Sequence, residues 1–465
     1  MKALIDVKPT AEQLALFSRI QPGVEIIRGA AGSGKTTTAL LKLRSAIGFY
    51  LNRRRRQTEP KPVNVLVLTF NKTLRGYIKE LAKKQFSVGN AIDMEVSTFN
   101  SWSRGLIGPQ SILTIDQTQC LLKGFGKSYF SDADFIADEA AYVLGRFSKD
   151  ALNEYLTARR DGRGTVPRME RPNRVILLEK VIKPYLDYKV KHGFRDWNDN
   201  AIDLQEHKYK NYDVIVVDET QDFSANEIRA IMNQAARDCT ITFVLDSAQK
   251  IYARSFNWSE VGINIRPENS HKLSLNYRNT KQIATLAAAL LQGIQVDDDG
   301  SIPNLNGVTK EGDMPIVICG EYLNQVKYCI SHIKENIDLT NQSVAFLHPK
   351  GWFRDLKPIL QSENLGFEII QSLSEWPEGD ENIALTTFHS AKGLEFDHVI
   401  MIGLDGSVLD SNEVSDLENE KSARLQRLIA MGVGRAKESI IIGFSNHDVP
   451  NIFNSMKDVV IRRDV

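Results

Sequence analysis

The chain of 465 residues reads as an α/β protein: two parallel, doubly wound sheets, with a helical insertion in the first. Three observations predict this. Short apolar runs rich in β-branched residues recur in both halves, helical stretches alternate with them, and one central stretch lacks the strand rhythm. Parallel strands must be joined by crossovers over a sheet face, so strand, loop and helix alternate along the chain. A domain usually takes about 100–200 residues, so this length predicts more than one.

Strands are expected at 24–28, 63–69, 212–218 and 240–246, each a continuous apolar run as in strands covered on both faces. Helices are expected at 36–46, after a glycine-rich loop, and at 73–84. The segment 103–207 reads as helical, with amphipathic stretches such as RVILLEKVIKPYLDYKVKH (174–192), and it interrupts the first sheet as an insertion. Strands return at 314–319, 343–347, 383–387, 398–402 and 439–443, which marks a second α/β unit beginning near Asn276. The expected division is therefore 1–102 with 208–275, then 103–207 as the insertion, then 276–465. The block Arg53–Arg56 in LNRRRRQTEPKP is expected to lie in a solvated loop.

Hydrophobic residues make up 42% and charged residues 25%, an ordinary globular balance. Basic and acidic residues number 58 each, so no global charge draws the chain to nucleic acid; any such binding needs a local groove. The four cysteines, Cys120, Cys239, Cys319 and Cys329, form no CxxC pair, which argues against a metal cluster and for a reducing compartment. MKALIDVKPTAEQ has no apolar signal core, and no apolar run reaches the roughly 18 residues of a membrane span. A cytoplasmic protein with no membrane partner is expected.

Gly29, Ala30, Ala31, Gly32, Ser33, Gly34, Lys35 and Thr36 spell GxxxxGK[ST] between the strand VEIIR and a helix. Glycines there turn successive backbone N–H groups inward to cradle phosphates, helped by the dipole at the helix start. Lys35 is placed to reach the β- and γ-phosphates and the Thr36 hydroxyl to ligate Mg²⁺. A chance glycine-rich turn is the alternative, and the strand and helix flanks argue against it. Asp218 and Glu219 follow the apolar run VIVV. Beside a phosphate loop, an acid pair at the carboxyl end of a neighbouring strand holds Mg²⁺ (Asp218) and activates water (Glu219). Without that loop the pair would read as a surface cap.

The form DETQD (218–222), together with GxGKT, resembles the UvrD/Rep/PcrA-like branch of superfamily 1 helicases. Further motifs follow the family's order: PTAEQLALF around Gln13, VLTFNKTLRGYI (67–78), STFNSW (97–102), LDSAQKIY (245–252), LNYRNT (275–280), TTFHSAKGLEFDHV (386–399) and MGVGRAKESI (431–440). The resemblance implies two RecA-like P-loop NTPase domains, called 1A and 2A, with the insertion as 1B. It implies ATP and Mg²⁺ as cofactors, with Gln13 reading adenine, Gln249 sensing the γ-phosphate, and Arg278 and Arg435 meeting the transferred charge. Tyr277 would stack on adenine, its alternative being a core aromatic; Glu395 would meet the ribose, and Thr37 and Gly393 complete the nucleotide set. Single-stranded nucleic acid needs aromatic platforms and polar backbone contacts. The candidates are Phe70, Asn71, Thr98, Phe99, Asn100, Tyr252, Phe256, Trp258, Thr387 and His389.

The chain departs from the family pattern in places. QKIYARSFNW lacks the Trp-Arg pair of QSIYxWRGA, Asn100 stands where the family has histidine, and Gly434 where it has threonine. Only 108 residues separate Arg278 from Thr387, too few for the large 2B insertion of longer members. No nuclease-like region is expected after the last motif. The function implied by the resemblance is a single-stranded-DNA translocase and helicase of the 3′–5′ type, acting on 3′-tailed duplex. Alternatives are a motor subunit with a nuclease or other protein partner in repair or phage defence, and an RNA-directed helicase. A non-catalytic scaffold is the bland alternative, and the intact Lys35, Asp218, Glu219, Arg278 and Arg435 argue against it.

Overall fold

The computed structural model describes residues 14, 16, 20–29, 33–58, 61–69, 91–160, 168–245, 256–273, 279–291, 308, 310–370, 381–388, 390–391, 394–404, 426, 428–445, 453, 456 and 458–465, except the side chains of Thr36 and Thr37. In chain order the first part runs β1 (Gly23–Gly29), α1 (Lys35–Arg54), β2 (Val63–Thr69) and β3 (Ile92–Thr98). Six helices follow: α2 (Phe99–Ile107), α3 (Ile115–Gly126), α4 (Ala133–Arg146), α5 (Arg171–Ile176), α6 (Lys183–His192) and α7 (Trp197–Glu206). The chain then returns to β4 (Tyr212–Val217), α8 (Ala225–Asn233), β5 (Ala235–Leu245) and β6 (Ser270–Leu273). These strands form one six-stranded sheet in the order β3-β2-β4-β5-β1-β6, parallel at every pairing.

Both faces of this sheet are covered, as the continuous apolar runs require. Val65, Val67, Val214, Val216, Ile27 and Val244 face the side packed by Leu40, Leu43 and Ile47 of α1. Leu66, Leu68, Ile215, Val217, Ile26 and Phe243 face the other side, with Phe223 and with Ile228 and Ile231 of α8. The alternation within each strand is the period of two that a pleated sheet imposes.

The second part runs α9 (Lys281–Leu290), β7 (Ile316–Cys319), α10 (Tyr322–Asn336), β8 (Val344–His348), α11 (Leu356–Ser362), β9 (Phe367–Ile370), β10 (Ile383–Thr387), β11 (Phe396–Leu404), β12 (Ala436–Phe444) and β13 (Ile461–Asp464). Its sheet has seven strands in the order β13-β7-β12-β11-β8-β10-β9, again parallel at every pairing. Val317, Ala345, Leu347, Val399, Met401 and Ile442 face one side, and Ile318, Val344, Phe346, Ile400, Ile402 and Ile441 the other. The molecule thus has two parallel-sheet α/β units of the RecA-like kind.

Between β3 and β4 the insertion has an apolar core of its own, including Leu122, Ile136, Val143, Tyr155, Leu177, Val181 and Tyr185. Its long helix is not uniform: a π-helical turn, Leu177–Ile182, joins α5 to α6. Pro184 explains that turn, because its ring would clash with the carbonyl one turn back in a regular α-helix.

Two expectations change and one lies beyond reach. Arg53–Arg56 is not a loop throughout: Arg53 and Arg54 close the last turn of α1, where cations suit the helix dipole. Arg54 pairs with Asp213 at 2.8 Å and Arg53 with Asp238 at 3.0 Å. Strands β3, β6, β9 and β13 were not expected. They are short or edge strands, and IRRD of β13 is exposed and charged, so it carries no apolar run to read. The helix expected at 73–84 lies outside the described residues.

Candidate functional site

In a parallel sheet every strand ends at the same edge. Gly29, Thr69, Thr98, Val217, Leu245 and Leu273 therefore mark one rim of the first sheet, as the paired registers show. Gly29 closes β1, and Gly34 starts α1 in the left-handed conformation, φ 76. A Cβ on Gly29 would run into the Ser33 hydroxyl, and Ser33 is itself buried, so the loop folds tightly back over the strand end. Lys35 is the first residue of α1, half-buried, where the orphan N–H groups of the helix start gather. Thr36 and Thr37 belong to its first turn; Ala30, Ala31 and Gly32 lie outside the described residues.

The segment before β1 is tied to this helix. Lys42 of α1 is buried, pairs with Glu25 of β1, and donates to the Leu16 carbonyl at 2.9 Å. Burial pushes its ammonium pKa down to about 8. Gln13 itself lies outside the described residues.

Asp218 and Glu219 follow β4 and are 2% and 5% exposed. The strand carrying them does not pair with β1: β5 lies between. The expectation of a directly neighbouring strand is corrected here. Two strand spacings separate the acids from the phosphate loop by roughly 10 Å, enough to admit phosphates and an ion. The Asp218 N–H donates to Leu68 of β2 at 2.9 Å, which seats the turn, and the Glu219 N–H donates to Asp218 Oδ1 at 2.9 Å. Glu219 holds φ 53 and ψ 43, left-handed backbone that a residue with a side chain adopts only under constraint. Gln221 Nε2 donates to Glu219 Oε2 at 2.5 Å. Gln221 was legible in DETQD only as part of the motif; its grip on the glutamate was not. Gln249 follows β5 outside the described residues.

In the second unit, Glu395 and Arg435 come together at the opposite rim, where strands begin. The Phe396 N–H donates to the Arg435 carbonyl at 2.9 Å, and Phe396 pairs with Ala436. Arg435 is 6% exposed, just after a helix over 428–433. Asn279, also buried, donates its side-chain amide to the Ala436 carbonyl. The chain neighbours of Arg278 and Arg435 are thereby joined, a tether that sequence reading missed although Asn279 stands in LNYRNT. Tyr277, Arg278 and Gly393 lie outside the described residues.

Among the expected nucleic-acid residues, Thr98 caps α2, its hydroxyl accepting the Ser101 N–H at 3.3 Å. Asn100 is half-buried in the first turn. Phe99 requires correction: it is 4% exposed and packs edge-to-face on Trp102 and Phe223, so it is a core ring with no face for a base. Phe256 and Trp258 are half-buried, 5.3 Å apart and edge-to-face, with Trp258 leaning on Phe243 of β5. Thr387 ends β10, and its hydroxyl accepts the Ser390 N–H at 3.1 Å. Phe70, Asn71, Tyr252 and His389 lie outside the described residues. Among the described residues no helix is long and apolar enough to cross a membrane.

Residues 12–255 match the family model of an AAA domain, and residues 349–447 that of the UvrD-like helicase C-terminal domain. The chain is 20% identical over 456 residues to a "Probable DNA helicase" of Mycoplasma pneumoniae, covering 90% of this chain and 80% of that protein. It is 23% identical over 304 residues to a "Probable DNA helicase II homolog" of the same species, covering 60% of this chain and 41% of that protein. The chain thus spans less than half the length of that second relative. The solved C-terminal domain of a "possible DNA helicase" from Lactobacillus plantarum is 18% identical, covers 40% of this chain and 98% of its own, and gives a TM-score of 0.29.

Proposed function

Since this chain belongs to the UvrD-like superfamily 1 DNA helicases, we propose that it is an ATP-hydrolysing motor that moves 3′ to 5′ along single-stranded DNA. The observation that carries the reading is the acid pair after β4, on the same rim as the phosphate loop, with Glu219 held in strained backbone and gripped by Gln221. Strain of about 1–3 kcal/mol persists where the surroundings over-determine a geometry, and such positions cluster at active sites.

The residues fit a nucleotide with a divalent ion. A helix start carrying a lysine takes phosphate, and a buried aspartate offers the hard oxygen that Mg²⁺ prefers. Thr36 and Asp218 would hold Mg²⁺, which would supply positive charge against the phosphates. Lys35 binds the same phosphates. Glu219 accepts a proton from the water whose oxygen bonds to the γ-phosphorus, while the bond from that phosphorus to the bridging oxygen breaks and ADP leaves, giving ADP and phosphate. Arg278 and Arg435 stabilise the charge that develops there, each presenting a planar fork of donors.

In the division proposed below, Arg278 and Arg435 belong to the second unit and the phosphate loop to the first. Hydrolysis then requires closure of the two units, and product release lets them part, which is the stroke of a motor. We take the motor to be a compact one without a 2B insertion, with 1–102 and 208–275 as unit 1A, 103–207 as 1B and 276–465 as 2A. Support comes from the short spacing of 108 residues between Arg278 and Thr387, within which α9, β7, α10, β8, α11 and β9 already lie.

The test is ATP turnover with and without single-stranded DNA, beside Lys35→Ala. Turnover that rises with DNA in the wild type and vanishes in the variant is expected; an RNA oligomer of equal length compares the two polymers. Turnover indifferent to both would sink the motor. Partial duplexes with a 3′ or a 5′ tail then read polarity, and unwinding from the 5′ tail alone would reverse it.

A further inference from the structure

One exposed aromatic has a built setting that the nucleotide site does not use. Trp352 is 55% exposed, in the turn HPKGWF that follows β8. Its neighbours are fixed: His348 is 5% exposed and Phe353 4%. His348 Nδ1 accepts the backbone N–H groups of both Lys350 and Trp352 at 3.2 Å. Gly351 takes the left-handed conformation, φ 68, that so tight a reversal needs. The imidazole of His348 stacks on Trp352 at 5.6 Å with 28° between the planes, and Lys350 Nζ stands 4.8 Å from the ring centre. A ring on so constrained a backbone loses little entropy when it takes a partner.

Its surroundings name the partner. Strands β8 and β10 are adjacent, with His348 opposite Thr387, so this turn and the Thr387–Ser390 turn sit side by side on one rim. Lys350 and Arg354 are exposed and Lys357 half-exposed, against the single acid Asp355 in 350–357. A basic rim carrying an accessible indole combines the two features by which single strands are held without sequence preference: stacking and backbone charge.

We propose that Trp352 is a base-stacking platform for single-stranded DNA, with Lys350 moving from the ring face to a phosphate when a base stacks. This rests on the reading of the chain as a DNA motor and adds a contact on the second unit. The whole chain is titrated into a labelled dT16 oligomer and anisotropy is read. Trp352→Ala is expected to weaken binding about tenfold, within the range that stacking of one base contributes, while Trp352→Phe stays within about threefold. Lys350→Ala is expected to lower the salt slope of binding by about one. An unshifted thermal midpoint, as expected for an exposed position, shows that the variants fold. Wild-type affinity in Trp352→Ala overturns the platform alone. Failure of the wild type to bind dT16 overturns both the platform and the reading beneath it.

Discussion

Glu219 occupies backbone that disfavours its own side chain, and its carboxylate is buried beside that of Asp218. Both features cost stability, and both suit the proposed role of a base aimed at a water molecule. Asparagine tolerates left-handed backbone and carries no charge. Glu219→Asn is therefore expected to raise stability by about 1 kcal/mol while turnover falls at least a hundredfold; thermal unfolding and an ATP assay read the two effects. At Asn279 stability and turnover are expected to fall together. Its amide joins the segments that carry Arg278 and Arg435, so Asn279→Ala leaves the buried Ala436 carbonyl without that donor. The loss is worth about 1–3 kcal/mol of stability, and the loosened arginines lower kcat by about tenfold to a hundredfold. Equal kcat in the variant would mean that the tether only joins backbone.

The helical insertion shows how one element group spends buried charge. Glu139 of α4 is 0% exposed, takes two bonds from Arg160 at 2.7 and 2.8 Å, and accepts the Tyr155 hydroxyl at 2.5 Å. Removing one member strands the other, so Glu139→Gln is expected to cost about 3–5 kcal/mol in chemical denaturation. A second group joins α6 to α7: Lys189 meets Asp196 at 2.7 Å and Asp199 at 2.6 Å. Burial would raise the Asp199 pKa, but the Lys189 ammonium and its hydrogen bonds prevail and hold it down to about 2. A carboxyl held below its unfolded pKa stabilises the fold above the ordinary carboxylate range and loses that contribution as pH falls toward its folded value. The gap of about 2 kcal/mol between wild type and Asp199→Asn should then close between about pH 4 and pH 2. A gap that stays constant through that window would show that Asp199 is not the titrating group. The insertion is also bonded to the sheet unit, because Arg146 of α4 pairs with Glu260 in the turn after Phe256 and Trp258.

At the scale of the molecule, the proposed motor divides one reaction between the two parallel sheets. The phosphate loop and the acid pair lie on the rim where the first sheet's strands end, and Arg435 lies where two strands of the second begin. An arginine supplied across a closing cleft acts in the transition state more than in binding. Arg435→Ala is expected to lower turnover about a thousandfold or more, with nucleotide affinity changed far less, as measured by a fluorescent ATP analogue beside steady-state kinetics. Loss of affinity matching the loss of turnover would put the arginine in ground-state binding instead. Binding of DNA should fall with salt only as steeply as a few local contacts require, since the chain as a whole carries no net charge.

The core strands and the phosphate loop were legible in the residues themselves. Short β-branched apolar runs such as VLVL in VNVLVLT and VIVV in YDVIVV mark strands covered on both faces, and GxxxxGK[ST] between a strand and a helix has one common use. These signals are local, a few residues whose chemistry suffices. Other features depend on what stands opposite. IRRD becomes a strand only because β7 offers an edge, and β5 comes between the phosphate loop and the acids only through the winding of the sheet. Phe99 reads like a base platform in STFNSW until the fold closes Trp102 and Phe223 over it. Asn279 and Trp352 carry no mark of their own in the sequence. One is defined by a carbonyl 157 residues away, the other by an imidazole that fixes its turn from beneath. Burial and orientation are set by partners distant in sequence, and those the tertiary structure alone brings together.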